Sequence, residues 1–369
     1  MKNFIIVRYG EIALKGKNRK TFENKLIENI KKTLARKGIE AKVRSTQGRL
    51  IVDAPHEFAE IIRKVPGVVS VSPAWKMEYE EIPEFLSTHL RNMNPTSFKI
   101  DARRINKAFH KTSQQINEEI GAFVVQHFGW KVNLNQPELA IGIEMIEGQA
   151  YVFFEAKKGV GGLPSSTQGR LILLMSVGID SPVAGFLMLK RGVSLTALHF
   201  DQGHAGLARQ MIDVLNQYSS EPIELIVVNH LEYFQPYVTE LERMGKREWT
   251  CVICKVLMLK KAEEIAKERS ALGIVTGDSL GQVASQTLEN LFLESSVVKM
   301  PIYRPLIGMD KDETVRIARQ IGTFEIFVEA SRHSCPFRPF SVVTKGSTYG
   351  LNKILEHFKS KSLWQGRDL

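Results

Sequence analysis

Residues 171–192 read LILLMSVGIDSPVAGFLMLKRG, and this stretch predicts a buried strand, a tight turn and an apolar helix in succession. The run 171–175 is continuously apolar, as expected of a strand buried on both faces of a parallel sheet. Ser181 and Pro182 have the residue types of a helix N-cap and of the first helical position. A strand, a turn and a helix N-terminus together favour an anion site, because free N–H groups and the helix dipole face the turn.

The turn at 176–181 reads SVGIDS and resembles the PP-loop pattern, SGGxDS, of ATP pyrophosphatases that adenylate a substrate. The match is carried by Ser176, Gly178, Asp180 and Ser181. Val177 stands where the pattern has a glycine. Because a β-branched residue disfavours positive φ, we expect strain or a widened turn there, and better use of ATP after Val177→Gly. An ordinary strand–turn–helix connection of an α/β domain is the alternative interpretation.

The composition is that of a globular protein, with 43% hydrophobic and 24% charged residues, and the 369 residues are enough for two or three domains. No apolar run approaches the length that crosses a membrane, and the N-terminus lacks the apolar core of a signal peptide. The three cysteines suit a reducing cytoplasm better than a disulfide-bonded scaffold. We therefore expect a cytoplasmic protein with no membrane partner.

The net charge of +10 is concentrated at the N-terminus. Residues 1–77 contain 17 Lys and Arg against 7 Asp and Glu. Residues 78–169 contain 9 against 11, and residues 170–369 contain 24 against 22. A basic module beside near-neutral ones predicts a polyanionic partner, most simply a nucleic acid. A solvated basic face is the alternative.

The pattern of residues 1–77 predicts a ferredoxin-like domain in the order β-α-β-β-α-β. Strands are expected at 3–8, 41–44, 49–53 and 68–75, and helices at 19–36 and 58–65. The first helix carries an apolar repeat of every four residues at Phe22, Leu26, Ile30 and Leu34. The loop 10–19, GEIALKGKNR, is basic, and its Lys15 and Lys17 are candidates for contact with a phosphate backbone.

A second domain is expected at 78–165, with residue 55 as its earliest possible start. Helices are predicted at 83–91 and up to 128, and strands at 98–102, 139–145 and 151–154. The segment FKIDARRINKAFHKTSQQINEEIG resembles the THUMP domain, an RNA-binding module of tRNA-modifying enzymes. Its candidate RNA contacts are the basic side chains Arg103, Arg104, Lys107 and Lys111. Phe109 and His110 are candidates for stacking on an unpaired base, and an irregular solvated loop is the alternative.

Residues 166–369 are predicted to form a doubly wound parallel sheet, so the whole chain combines α+β and α/β domains. The segment 157–168 is rich in Gly and Ser and reads as a linker. Strands are expected at 171–175, 194–200, 223–228 and 271–276, and helices at 183–190, 204–217, 251–267, 280–292 and 312–320. Ligands of such sheets bind beyond the carboxyl ends of the strands, so these ends should gather on one edge.

The segment 276–291, TGDSLGQVASQTLENL, together with SPVAGFLMLKRG and the THUMP segment, resembles the tRNA 4-thiouridine synthetase family. The resemblance covers nearly the whole chain. It implies an enzyme that uses ATP to adenylate the C4 oxygen of a tRNA uridine, at position 8 in the family, and replaces that oxygen with sulfur. It also implies a link to thiamine thiazole synthesis. Some members carry an additional rhodanese domain, and we expect the form without it.

The resemblance implies an ATP and Mg²⁺ site. The implied nucleotide contacts, with the turn residues, are Leu174, Met175, Ser176, Gly178, Asp180, Ser181, His199, Phe200, Lys255, Gly277 and Gln286. Asp180 beside a phosphate suggests a Mg²⁺ ligand or a local base, with a helix N-cap as the bland alternative. Gly277 would permit close approach of the backbone to the nucleotide. For His199 and Phe200, core packing at a strand end is an equal alternative.

All three cysteines fall in the third domain, as Cys251-x-x-Cys254 at a predicted helix start and Cys335. The position at a helix N-terminus predicts lowered thiol pKa values. Convergence of the three thiols would suit an iron–sulfur cluster with one open iron. A persulfide relay through Cys335 and Cys254 is the competing chemistry, and three unrelated buried thiols are the bland alternative.

Several partners follow from the resemblance: tRNA, a sulfur donor (the persulfide of a cysteine desulfurase, or sulfide), a sulfur-carrier protein of thiamine synthesis and a second copy of the chain. Two other functions stay open at this point. One is a different PP-loop tRNA thiolase, against which the THUMP segment argues. The other is a catalytically inactive tRNA-binding protein, which only Val177 supports.

Overall fold

The computed structural model describes residues 2–283, 285–330 and 335–364. It divides into two compact units, Met1–Pro164 and Ser165–Leu369. Among the described residues, no helix is both long and apolar enough to span a membrane. The fold class predicted from the sequence is confirmed, with an α+β unit on a mixed sheet followed by an α/β unit on a parallel sheet.

The first unit is built on one nine-stranded sheet. Its strands are β1 Lys2–Tyr9, β2 Lys42–Thr46, β3 Arg49–Asp53, β4 Val68–Met77, β5 Ser97–Arg104, β6 Lys131–Val132, β7 Leu139–Ile146, β8 Gln149–Phe153 and β9 Lys157–Lys158. Its helices are α1 Arg19–Ala35, α2 Ala59–Ile62, α3 Ile82–His89 and α4 Ser113–Phe128. The strands lie in the order β2-β3-β1-β4-β8-β7-β5-β6, and β9 pairs with β4.

Helix α1 forms where the four-residue apolar repeat predicts it. Leu26, Ile30 and Leu34 are fully buried and share a core with Ile5 and Val7 of β1. Burial of each such side chain contributes roughly 1.5–3 kcal/mol relative to exposure. The antiparallel pairs β2–β3, β3–β1 and β1–β4, with α1 and α2 between them in sequence, make up the ferredoxin-like part.

The predicted domain boundary after residue 77 falls at the end of a strand that both halves of this unit share. Strand β4 pairs with β1 on one side and with β8 on the other. Glu144 on β7 is buried and accepts hydrogen bonds from Arg8 Nε and Arg49 Nε, each at 2.9 Å. One continuous sheet and a buried ion cluster therefore join the ferredoxin-like and THUMP parts.

The second unit is an α/β domain on a five-stranded parallel sheet. Its strands are β10 Arg170–Met175, β11 Ser194–Asp201, β12 Glu224–Asn229, β13 Ile274–Val275 and β14 Ile302–Tyr303. Its helices are α5 Asp180–Lys190, α6 Ala205–Asn216, α7 His230–Arg243, α8 Thr250–Glu268, α9 Leu288–Ser296, α10 Lys311–Ile321, α11 Phe324–Ala330 and α12 Thr348–Ser360. The strand order is β12-β11-β10-β13-β14.

The strand order places a ligand crevice beside β10. From β10 the chain adds β11 and β12 on one side and then returns to place β13 on the other side. Ligands of doubly wound sheets bind at the carboxyl ends of the strands at such a reversal. The segment 176–181 follows β10 there, and residues 276–278 follow β13.

Candidate nucleotide site and thiol cavity

The SVGIDS turn is closed by its own serine hydroxyls. Ser176 N donates to Ser181 Oγ at 2.8 Å, and the two serine hydroxyls lie 3.0 Å apart. Gly178 N donates to Ser176 Oγ at 3.2 Å. Helix α5 begins at Asp180, so the prediction of Ser181 as its N-cap is wrong. Ser181 bonds back to residue 176 because that contact closes the turn against the end of β10.

Val177 is not strained as predicted. Neither Val177 nor Gly178 is among the residues with positive φ. The turn reaches α5 without a left-handed residue at 177 or 178, so a β-branched side chain fits at residue 177 without the cost of that conformation. The basis for expecting better ATP use in Val177→Gly is therefore absent, and so is the support for an inactive site.

A cavity of about 220 Å³ opens at the carboxyl ends of β10 and β13. It is lined by Leu174, Met175, Ser176, Asp180, Ser181, Leu198, Phe200, Gln202, Lys255, Met258, Thr276, Gly277, Asp278 and Gln286. Of the nucleotide contacts proposed from the sequence, all but Gly178 and His199 are in this lining. Residues from four separate stretches of the chain thus meet at the crevice that the strand order predicts.

His199 and Phe200 differ in their position. His199 is buried, and its Nδ1 is 2.9 Å from the carbonyl oxygen of Met175, the last residue of β10. Phe200 is also buried, packs on Phe234 at a centroid distance of 5.5 Å, and still lines the cavity. His199 therefore packs between strands in this structure, whereas Phe200 both packs in the core and forms part of the cavity wall.

Asp180 makes side-chain contacts across the turn instead of capping its helix. Lys311 Nζ lies 2.9 Å from its Oδ1, and Gln282 Nε2 donates to its Oδ2 at 3.2 Å. The N-terminus of α5 has no side-chain cap. The capping alternative is therefore excluded, and a carboxylate and an ammonium group are both held beside the turn.

Gly277 is needed for contact between two parts of the backbone. A Cβ atom at this position would lie 2.7 Å from Ser181 N and 2.8 Å from the carbonyl carbon of Asp180. From the sequence alone, this glycine is expected to permit close approach of the nucleotide. In the structure, its lack of a side chain lets the end of β13 lie directly against the first turn of α5.

Asp278 is the central charge of the cavity and was missed from the sequence. It is 1% exposed and contacts Lys255 Nζ at 2.9 Å and Thr276 Oγ1 at 2.6 Å. Arg304 Nε lies 3.2 Å away and Gln286 Nε2 lies 3.4 Å away. Burial alone would raise the pKa of Asp278, but Lys255, the hydrogen bond from Thr276 and Arg304 lower it to about 2. The group is therefore a permanent anion at neutral pH.

A second cavity, of about 500 Å³, adjoins the first through two shared lining residues, Lys255 and Met258. It is largely apolar, and all three cysteines, Cys251, Cys254 and Cys335, line it. The first two lie on α8, and Cys335 belongs to the segment 335–338. The three thiols thus share one cavity, but the predicted convergence within metal-ligand reach is not found among the described residues.

The predicted lowering of the thiol pKa values is wrong. Burial raises the pKa of Cys251 and of Cys254, and the nearby Cys335 raises both further. The helix dipole contributes only about 0.3–1 kcal/mol, which the apolar surroundings outweigh. In residues 2–283, 285–330 and 335–364, no three His, Cys, Asp or Glu side chains are grouped to hold a metal ion. Burial therefore favours the protonated thiols of Cys251 and Cys254 near neutral pH.

Three family models match this chain in succession. The ThiI ferredoxin-like domain covers residues 4–72, the THUMP domain covers 79–155, and the thiamine biosynthesis protein (ThiI) model covers 166–359. The last model alone spans more than half of the chain.

The chain belongs to the ThiI family.

Relatives of this ThiI-family chain extend over its full length. A probable tRNA sulfurtransferase from Thermococcus kodakarensis is 41% identical, covering 96% of each chain. Another from Methanocaldococcus jannaschii is 38% identical, covering 96% of this chain and 97% of the relative. A crystal structure of a 4-thiouridine synthetase–RNA complex with bound ATP is 32% identical, with a TM-score of 0.85 over 100% of this chain and 99% of the other.

The ThiI-family chain has a histidine beside Cys254 that no sequence motif indicates. His230 Nε2 lies 3.8 Å from Cys254 Sγ, and the imidazole is 1% exposed. The ring packs against Phe234 and Phe337 at centroid distances of 4.5 and 5.5 Å. Burial lowers the pKa of His230. The predicted helices of this region left residues 230–243 unassigned, so no local pattern placed the histidine near a cysteine.

The proposed RNA contacts of the ThiI-family chain lie in the first unit and differ in their solvent exposure and in their local contacts. Lys17, Arg103 and Lys107 are exposed, and Arg103 pairs with Asp101 at 3.1 Å. Arg104 is half-buried, and its guanidinium donates to the carbonyl oxygen of Phe109 at 3.3 Å.

The remaining candidates in that unit are engaged in local packing. Lys15 Nζ lies 5.1 Å from the ring centroid of Phe22, and Lys111 Nζ lies 4.5 Å from that of Tyr79. Lys111 also pairs with Glu119. The ring of Phe109 packs partly into the core of the THUMP part, whereas His110 is exposed. Of the two proposed stacking residues, His110 is therefore the accessible one.

Proposed function

We propose that this ThiI-family chain is an ATP-dependent tRNA sulfurtransferase that adenylates the C4 oxygen of a tRNA uridine and replaces it with sulfur. The observation that carries the proposal is the pair of adjoining cavities, one lined by the SVGIDS turn and the other by three thiols. Relatives of matching length named probable tRNA sulfurtransferase support it. The ATP-bound 4-thiouridine synthetase–RNA structure supports both the nucleotide and the RNA substrate.

The turn supplies the contacts for the triphosphate. Serine hydroxyls and free N–H groups of the first turn of α5 would hold the leaving pyrophosphate, as preorganised dipoles do for developing charge. Lys255 would neutralise phosphate charge from the facing helix. Attack by the C4 oxygen of the uridine on the α-phosphorus then releases pyrophosphate and leaves the adenylyl group on that oxygen.

Magnesium fits this site through one carboxylate. Asp180 lines the cavity and presents carboxylate oxygens, and Mg²⁺ is commonly bound by one or two carboxylates together with phosphate oxygens. Bound Mg²⁺ would reduce the charge on the phosphates. Asp180 would hold it, and Lys311, now paired with that carboxylate, would be free to contact a phosphate.

For the sulfur step we favour a persulfide relay. A terminal persulfide sulfur on Cys335 attacks C4 and displaces AMP, which leaves the nucleobase sulfur disulfide-bonded to Cys335. Cys254 then gives up its proton and attacks the Cys335 sulfur, which releases 4-thiouridine and forms a Cys254–Cys335 disulfide. A thiol reductant must reduce this disulfide before the next turnover. The shared cavity supports the pairing.

An iron–sulfur cluster on Cys251, Cys254 and Cys335 is the second candidate, because all three thiols line one cavity. Single serine replacements separate the two. Loss of thiolation in all three variants, with iron in anaerobically purified protein, favours the cluster. Retained thiolation in Cys251→Ser alone favours the relay. Pyrophosphate release should persist in each variant.

The donor of sulfur and the remaining partners belong to the same proposal. A cysteine desulfurase persulfide would load Cys335, which is exposed, whereas free sulfide would serve a cluster. A sulfur-carrier protein of thiamine synthesis and a second copy of the chain are further proposed partners. Labelled sulfur transferred from the desulfurase to Cys335, and lost in Cys335→Ser, would identify the first route.

Pyrophosphate release tests the activity itself. With ATP, Mg²⁺ and unmodified tRNA, the protein should release pyrophosphate, and addition of a sulfur donor should give 4-thiouridine in the digested tRNA. Asp180→Ala should bind tRNA normally and lose thiolation by about 10²-fold or more. Asp213→Ala, on an exposed position of α6, is the matched control and should retain activity. If tRNA does not stimulate pyrophosphate release by the wild type, the proposed activity is wrong and the chain is a tRNA-binding protein without this chemistry.

A further inference from the structure

Each carboxylate oxygen of Asp278 contacts a different pair of side chains. Oδ2 accepts from Thr276 Oγ1 at 2.6 Å and from Arg304 Nε at 3.2 Å. Oδ1 contacts Lys255 Nζ at 2.9 Å and accepts from Gln286 Nε2 at 3.4 Å. Lys255 and Gln286 on Oδ1 and Thr276 on Oδ2 line the nucleotide cavity, whereas Arg304 on Oδ2 does not. Oδ2 is thus held by the adjacent Thr276 and by Arg304 outside the cavity, and Oδ1 contacts the two long cavity side chains.

We propose that Asp278 is a positioning residue for adenylation, which holds Lys255 and Gln286 in the orientations in which they meet the nucleotide. The inference rests on the proposed ATP-dependent function and extends it to a residue that itself need not touch the nucleotide. Its buried position after β13 and its fixed Oδ2 contacts make it a rigid support.

Lys255 needs such a support because it stands between two cavities. Its side chain lines both the nucleotide cavity and the thiol cavity. A lysine has a flexible four-carbon stem and a point charge, so its ammonium group has no preferred direction of its own. The contact with Asp278 keeps that ammonium on the nucleotide side, where phosphate charge develops.

Gln286 is oriented by the same oxygen. Its Nε2 group donates to Asp278, and its buried Oε1 has no hydrogen-bond partner within the described ranges. An amide with its NH₂ group held offers its carbonyl oxygen as an acceptor, and a buried acceptor without a partner is costly. A donor of the nucleoside, the adenine amino group or a ribose hydroxyl, would satisfy it.

Asp278→Asn tests the role directly. The amide can keep one oxygen toward Arg304 and Thr276 while presenting NH₂ toward the donors of Lys255 and Gln286. We expect kcat for tRNA-dependent pyrophosphate release to fall about 10²-fold, as when one preorganised group is lost, with unchanged tRNA affinity. Glu263→Gln is the matched control, because Glu263 is a buried carboxylate on α8 that pairs with Lys260 at 2.9 Å and lines neither cavity. The control should retain kcat.

A mutant cycle with Lys255→Gln shows whether Asp278 acts through the lysine. In the Lys255→Gln background, Asp278→Asn should lower kcat by at most about tenfold, because only the hydrogen bond to Gln286 is then lost. The same hundredfold loss with and without Lys255 would overturn the inference. Should Asp278→Asn not fold alone, the double variant, which removes both partners of the buried pair, is compared with Lys255→Gln and decides by the same criterion.

The outcomes separate this inference from the function on which it rests. A wild-type protein that neither binds ATP nor releases pyrophosphate overturns both. An active wild type with an equally active, folded Asp278→Asn overturns only the positioning role of Asp278.

Discussion

At the scale of single residues, Gly277 has little freedom in the nucleotide site. Its Cβ would meet backbone atoms of Ser181 and Asp180 at 2.7 and 2.8 Å, and backbone cannot move aside as a side-chain end can. We expect Gly277→Ala to lose about 1–3 kcal/mol of unfolding free energy and to weaken ATP binding, because the turn must shift. Gly206→Ala on α6, with no atom within 4 Å of the added Cβ, should be neutral or stabilising. Equal melting temperatures for the two variants would contradict the tight contact.

Glu294 on α9 gives the site a pH dependence of stability. It is 1% exposed, and burial raises its pKa from 4.5 to about 8, although Lys255 and Arg304 act in the opposite direction. Between these values the folded state binds more protons than the unfolded state, so stability falls as pH rises. Glu294→Gln removes this term.

Denaturant unfolding at several pH values checks the sign of that effect. The unfolding free energy of Glu294→Gln, minus that of the wild type, should grow from about pH 5 to about pH 8 and then level off. A difference that stays constant over this range would show that Glu294 ionises normally in the folded protein.

Local spacing in the sequence revealed the residues of the turn but not those that support them. Ser176, Asp180 and Ser181 lie within one short motif. The partners of Asp278 come from α8, the end of β13, the loop before α9 and the end of β14, so their meeting depends on the strand order. The pKa error at Cys254 has a similar origin, because burial is a property of the packed domain.

At the scale of elements, one segment that was predicted incorrectly contributes to the lining of both cavities. Residues 280–287 were predicted as the start of a helix, yet α9 begins at Leu288. Thr287 caps it by accepting from Asn290 N, and the Asn290 side chain bonds the carbonyl oxygen of Val343 and Gly346 N. These long-range contacts fix the helix start, whereas the helical apolar pattern continues upstream of it.

Helix α7 was not predicted, although it spans His230–Arg243. Pro236 lies inside it, and proline within a helical pattern argues against a helix in sequence-based reasoning. In the structure, Pro236 lies within the continuous helix, and His230 at the N-terminus of the helix is buried beside Cys254.

Helix α8 sets the reactivity of the thiols, and alkylation measures it. Cys251 and Cys254 are half-buried on this helix and have raised pKa values, whereas Cys335 is exposed. In native protein near neutral pH, Cys335 should be alkylated first and the two helix thiols much more slowly, because only thiolates react. Peptide mapping by mass spectrometry after timed alkylation gives the order. Modification of Cys254 as fast as Cys335 would show that the helix dipole outweighs burial after all.

At the scale of the whole molecule, the division of charge and chemistry follows the two units. The excess of basic residues lies in residues 1–77, within the first unit, and the adjoining cavities lie in the second. The sequence predicted this division because charge and motifs are local properties. It did not predict that β4 belongs to both the ferredoxin-like and THUMP parts. The pairing of Trp75 on β4 with Val152 on β8 joins residues far apart in the sequence and depends on packing.

The first unit should therefore govern tRNA affinity without affecting the nucleotide site. Arg103 and Lys107 are exposed, so reversing both to Glu alters charge with little loss of packing. Arg104 is a poorer choice, because its guanidinium holds the carbonyl of Phe109. In the full chain, the double reversal should weaken tRNA binding and lower the slope of log affinity against log salt by about 2, one for each lost phosphate contact. ATP binding should be unchanged.

Arg209→Glu with Lys353→Glu makes the same charge change at exposed positions of the second unit and is the matched control. If the two double variants lose affinity and slope equally, net charge rather than the THUMP surface attracts the tRNA.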